Sequence, residues 1–105
     1  MDNQLKRGLL DVCVLSAIRE GESYGYKIIK DLKPCIALSE STLYTILKRL
    51  ETASMLTVRS AEHDGRLRKY YRITEGGLKR LDEFKEEWRE VMRIYEFVNR
   101  EEKSE

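Results

Sequence analysis

Asp64-Gly65 sits between two runs of alternating apolar and polar residues, and that placement constrains this chain more than any other feature. An Asp-Gly pair accepts the two positive φ angles of a type I′ turn, whose twist matches that of paired strands. With the turn centred there, His63 faces Arg66, Ser60 faces Lys69, Val58 faces Tyr71 and Leu56 faces Ile73. The apolar pairs Val58/Tyr71 and Leu56/Ile73 then share one face, as a half-buried hairpin requires. A slip of one residue breaks both pairs apart. The base of the hairpin is therefore core and its tip is exposed. That tip is basic: Arg66, Arg68, Lys69 and Arg72 fall within seven residues, with Tyr70 and Tyr71 among them.

The charge stands out because the chain is nearly neutral, at +1. Residues 1–74 carry 13 Lys/Arg and 9 Asp/Glu, and residues 75–105 carry 7 and 10. A basic front and an acidic rear point to a polyanion met by the front alone. Cations on a hairpin also serve as edge protection, so the hairpin by itself leaves both readings open.

The stretch before it favours nucleic acid. "ESTLYTILKRLETA", residues 40–53, reads as a helix capped by Ser39, with Leu43, Ile46, Leu47 and Leu50 as its core stripe. The opposite face carries Ser41, Thr42, Tyr44, Thr45, Lys48 and Arg49, with no carboxylate before Glu51. An ordinary solvated face mixes Glu with Lys to gain i,i+4 pairs, and this one does not. Its groups suit phosphates and base edges. A shorter helix at about 24–33 precedes it, with Ser23 as the expected cap and Pro34 as the stop. Two short helices joined by a tight connector, the second rich in hydroxyls, form a helix-turn-helix pattern, and the hairpin behind it is a wing. Tyr24 and Lys27 on the earlier helix are candidate phosphate contacts, although "YGY" offers two rings and Tyr24 is equally a core residue.

Residues 5–19, "LKRGLLDVCVLSAIR", are apolar on every face and call for burial on all sides. A small core on one side and a second subunit on the other would provide it; a central helix of a compact monomer would as well. From about 75 to 100, behind a Thr74 cap, Leu81, Phe84, Trp88, Val91, Tyr95 and Val98 recur at 3-4-3-4-3 spacing, a heptad seam. Packing against its own copy is the simplest way to cover it, and these six residues are the expected dimer interface. The final "REEKSE" is polar and expected to fray.

Together these stretches resemble the PadR family of bacterial transcriptional regulators, in its short subfamily. "ESYGYKIIKDL", "LSESTLYTILKRLE" and "EHDGRLRKYYRITEGG" look like its signature segments, and the similarity covers nearly the whole chain. The resemblance implies a mainly α fold with a two-stranded β-wing: a winged helix-turn-helix at 1–76, then a dimerisation helix and short tail at 77–105. It implies a homodimeric repressor on double-stranded operator DNA, with the first helix assisting the last in the dimer. In some members a flat aromatic compound binds at that interface. Trp88 and Val91 with Leu9 and Val12 are the candidate effector residues, and Trp88 as plain interface packing stays open. The expected DNA contacts are Tyr24, Lys27, Ser41, Thr42, Tyr44, Thr45, Lys48, Arg66, Arg68, Lys69 and Tyr70. One departure stands out. The family usually has proline after the tyrosine of "STLY"; Thr45 restores the N–H and adds a hydroxyl.

Other function classes fare worse. A metal sensor needs clustered ligands, and His63 is the sole histidine, remote from either cysteine. No nucleophile–base pair, phosphate loop or paired acids suggest an enzyme, and no cofactor is expected. Cys13 and Cys35 read as reduced, buried small hydrophobes. With no apolar span or signal segment, the expected location is the cytoplasm. The alternative to a DNA-binding regulator is an interaction module whose C-terminal seam is its function.

Overall fold

The structure, a computed structural model, describes residues 1–103. In chain order it contains α1 (Asn3–Ala17), β1 (Ser23–Tyr24), α2 (Gly25–Leu32), α3 (Glu40–Thr52), β2 (Leu56–His63), β3 (Arg66–Ile73) and α4 (Glu75–Lys103). The three antiparallel strands lie in the order β1-β3-β2.

The helix α1 begins earlier than its apolar run. The Asp2 carboxylate accepts the Leu5 N–H at 3.0 Å, satisfying a first-turn donor that the helix leaves orphaned. Val12, Val14, Leu15 and Ile18 enter the core with Ile28 and Leu32 of α2 and the whole expected stripe of α3, Leu43, Ile46, Leu47 and Leu50. Each such side chain contributes about 1.5–3 kcal/mol on leaving water. Ser39 caps α3 as expected, its hydroxyl accepting the Thr42 N–H at 3.2 Å. The helix closes with Ser54 at φ 60° and the Met55 N–H reaching back to the Leu50 carbonyl at 2.9 Å.

Two expectations around α2 need correction. Ser23 does not cap it. Ser23 pairs with Tyr71 and Tyr24 with Tyr70, so the wing sheet gains a short third strand. The residue before a helix is extended whether it caps or pairs, and here the open edge of β3 takes it. The Ser23 hydroxyl ends buried without a partner. Nor does Pro34 bend Lys33 out of helical geometry, since Lys33 keeps φ −52° and ψ −40°. The chain is instead drawn off the helix axis when the Cys35 and Ile36 N–H groups both close on the Leu32 carbonyl, at 2.8 and 2.7 Å. Cys35 is consequently exposed rather than buried, and Cys13 is half-buried. Burial, and then the neighbouring Cys35 thiol, push the Cys13 thiol above its ordinary range.

The hairpin has the register read from its turn. His63–Arg66, Ser60–Lys69, Val58–Tyr71 and Leu56–Ile73 are all partners. Asp64 and Gly65 sit at φ 50° and 77°, the left-handed pair that a type I′ turn demands. Leu56 and Tyr71 are buried.

Thr74 caps α4: its hydroxyl accepts the Gly77 N–H at 3.2 Å and donates to the Ser54 carbonyl at 2.7 Å. The same side chain therefore ties the end of α3 to the start of α4. Leu81 is buried in its own chain's core and Phe84 packs against it. From Val91 onward the apolar side chains of α4 are exposed, and Tyr95 and Val98 stand 58% and 62% open. The helix runs past the expected end near 100 to Lys103; of the tail expected to fray, Ser104 and Glu105 lie outside the described residues. Among the described residues, no helix is long and apolar enough to cross a membrane.

Candidate nucleic-acid interface

The exposed ridge of α3 runs through Ser41, Thr42, Tyr44, Thr45 and Lys48, all open to solvent. The ridge stands between two grooves. On one side the wing approaches, and Tyr44, Lys48 and Glu51 face Leu67, Arg68 and Lys69. On the other side the first turns of α1 approach, and Thr42, Thr45 and Arg49 face Asn3, Lys6 and Arg7.

Local packing aims the ridge side chains. Gly25 lets the Tyr44 ring cross the start of α2, where a Cβ would lie 2.8 Å from the Tyr44 hydroxyl oxygen. The hydroxyls at the start of α3 are chained, with Ser39 Oγ 2.9 Å from Thr42 Oγ1 and 3.4 Å from Ser41 Oγ. The Thr45 hydroxyl donates to the Ser41 carbonyl at 3.0 Å. Its proton is therefore occupied, and it offers only lone pairs outward. Lys48 lies 3.9 Å from Glu51, both largely exposed, a pair that water screens heavily. Arg49 departs from the expected face. It turns to α1 and pairs with Asp11, where the two side chains are 32% and 22% exposed. An arginine committed to a half-buried partner is a strut between helices and not a free cation.

The outer face of the wing is a stack. Arg59 grips Glu22 with two hydrogen bonds, at 2.8 and 2.7 Å, and lies 4.6 Å from the Tyr70 ring centre. The hydrogen bond from Arg59 holds the Glu22 carboxyl below the usual carboxylate range. Tyr24 meets Tyr70 edge-on at 6.0 Å, and the Arg68 guanidinium sits 3.9 Å over Tyr24. Of the two "YGY" rings, Tyr26 is the exposed one, at 71%, and Tyr24 is half-buried in the stack. Lys27 bonds Asp31 at 2.7 Å, and that bond raises the lysine's pKa. Arg66 and Lys69 are exposed, whereas Arg68 and Tyr70 are half-buried. Glu22 and Arg59, which brace the Tyr70 end of the stack, were not candidates from sequence. Nothing local links them, since they lie 37 residues apart.

The effector candidates are less well gathered. Trp88 is half-buried beside Phe84, with ring centres 5.7 Å apart, and it lines an open surface hollow with Met92. Val91 is 40% exposed and Val12 is buried in the core, and neither they nor Leu9 line the hollow beside Trp88. Leu9 is half-buried.

Residues 14–83, which hold α2, α3 and the wing, match the transcriptional regulator PadR-like family. The chain belongs to that family. A PadR family regulator from Eggerthella lenta is 34% identical and superposes with a TM-score of 0.80, over 90% of this chain and 85% of that one. An uncharacterized protein of Lysinibacillus sphaericus is 38% identical, over 84% of this chain and 85% of its own. Bacillus subtilis PadR in complex with operator DNA is 26% identical with a TM-score of 0.68, over 72% of this chain and 46% of that one. PadR-like proteins are transcriptional regulators, not enzymes, and the winged-helix fold with its long C-terminal helix is theirs.

Proposed function

We propose that this PadR-like chain is a DNA-binding repressor that occupies a palindromic operator as a homodimer in the cytoplasm. The observation that carries this reading is the α3 ridge: hydroxyls, a tyrosine and a lysine with no carboxylate from Ser41 to Lys48, flanked by a basic wing. The ridge suits the major groove and the exposed Arg66 and Lys69 suit phosphates beside it. The solved operator complex of the Bacillus subtilis relative supports the same partner. Two recognition helices must reach half-sites about 34 Å apart, which calls for a dimer. The exposed Val91, Tyr95 and Val98 of α4 supply an apolar surface for it. A planar aromatic effector stacked by Trp88 and its symmetry mate would release DNA by shifting that spacing. Coupling of about 1–3 kcal/mol suffices.

The test is selection of duplexes from a random pool by the full chain. A two-fold symmetric consensus is expected, and Lys48→Ala should flatten its salt dependence by about one unit of slope. If no sequence is enriched and the protein still self-associates, the interaction-module reading stands in its place.

A further inference from the structure

The proposed DNA reading leaves the groove on the α1 side of the ridge without a role. Lys6 and Arg7 line it from the first turns of α1, opposite Thr42 and Thr45 of α3. Both cations are exposed, and neither has a carboxylate partner among the described residues. Of the nearby acids, Asp11 takes Arg49, and Asp2, the cap of α1, takes the Leu5 N–H and shares a surface hollow with Arg7 without an ion pair to it. Leu10 packs on the core, so the backbone carrying Lys6 and Arg7 is fixed against α3. The groove thus joins two free cations to the Thr42 hydroxyl, whose proton is unspent because Ser39 donates to it, and it is continuous with the recognition ridge on the side away from the wing.

We infer that Lys6 and Arg7 form a second phosphate clamp, gripping the operator strand on the side of the major groove opposite the wing. A helix lying in the major groove has a phosphate backbone along each side. The wing serves one backbone, and the α1 groove presents two cations and the Thr42 hydroxyl to the other. Phosphate contacts of this kind fix the register of the recognition helix without reading bases. The inference rests on the DNA-binding reading, and its partner is the same duplex.

The experiment uses the full chain and a labelled duplex selected by the native protein. Lys6→Ala/Arg7→Ala should reduce the salt slope by about two, because each phosphate left unneutralised keeps close to one counterion that binding would otherwise release. The affinity gap to the native protein should then shrink about tenfold as salt rises from about 50 to about 200 mM. Phosphate ethylation interference should disappear at positions distinct from those that fade on shortening the wing tip. Lys6→Arg should keep the slope, and the melting temperature should stay unchanged in both variants. A native protein that binds while the double variant keeps the full slope and interference pattern would overturn the clamp and leave the DNA reading intact. Failure of the native protein to select any duplex would overturn both.

Discussion

Single residues decide how the recognition ridge is presented. Gly25 is the clearest case. The nearest atoms a methyl group there meets belong to the tip of the Tyr44 ring, which can swing aside at little cost. Gly25→Ala should therefore leave thermal stability nearly unchanged while lowering operator affinity, measured by melting and by titration of the same sample. Ser54 tests the opposite balance. It carries a left-handed φ of 60° at the end of α3, where a Cβ is strained and glycine is at ease. Ser54→Gly should stabilise the fold by about 0.5–1 kcal/mol, read as a higher midpoint in denaturant. The departure at Thr45 also takes on a definite chemistry here. With its proton bound to the Ser41 carbonyl, the hydroxyl can only accept, which suits the amino groups of adenine or cytosine.

Between elements, the Glu22–Arg59 grip ties the loop before β1 to the wing. Its pH dependence has a fixed sign. The folded Glu22 carboxyl sits below its ordinary range, so the contribution is fully present above that range. It is lost as pH falls through the depressed value. In an acid titration followed by wing mobility or by stability, Glu22→Gln should differ from the native protein near neutral pH and converge with it at strongly acid pH. This grip also shows where sequence reading ends. The hairpin register was legible because Asp64-Gly65 fixes it locally, and Leu43, Ile46, Leu47 and Leu50 declare their face by spacing alone. Caps at Ser39 and Thr74 were legible for the same reason. The strand at Ser23–Tyr24 was not, because two residues carry no period and their partner lies at Tyr70–Tyr71. Arg49 reads as a free cation for want of any local sign of Asp11, 38 residues away. Lys6 and Arg7 give no local sign either, because only the packing of α1 beside α3 brings them to the ridge.

At the scale of the whole molecule, the dominant fact is how little of α4 the chain itself covers. Leu81 is buried and Phe84 packs on the core, while Val91, Ile94, Tyr95, Phe97 and Val98 are 40–62% exposed. The heptad seam is thus divided, its first third used within the chain and its last half uncovered by it. Tyr95→Glu/Val98→Glu should shift the protein to monomer in sedimentation with the winged-helix domain still folded, and should weaken operator binding because two half-sites are no longer held together. The 29 residues of α4 make it about 43 Å long. The α4 helix therefore works as a gear lever. In the proposed dimer its far end is clasped to the partner while its near end is stitched through Thr74 to Ser54, just past the end of α3. A tilt of only about five degrees at the clasp sweeps the near end by about 4 Å, comparable to the rise of one DNA base pair. In that proposed dimer the apparatus that joins the two subunits would thereby also be the one that sets the pitch at which they read.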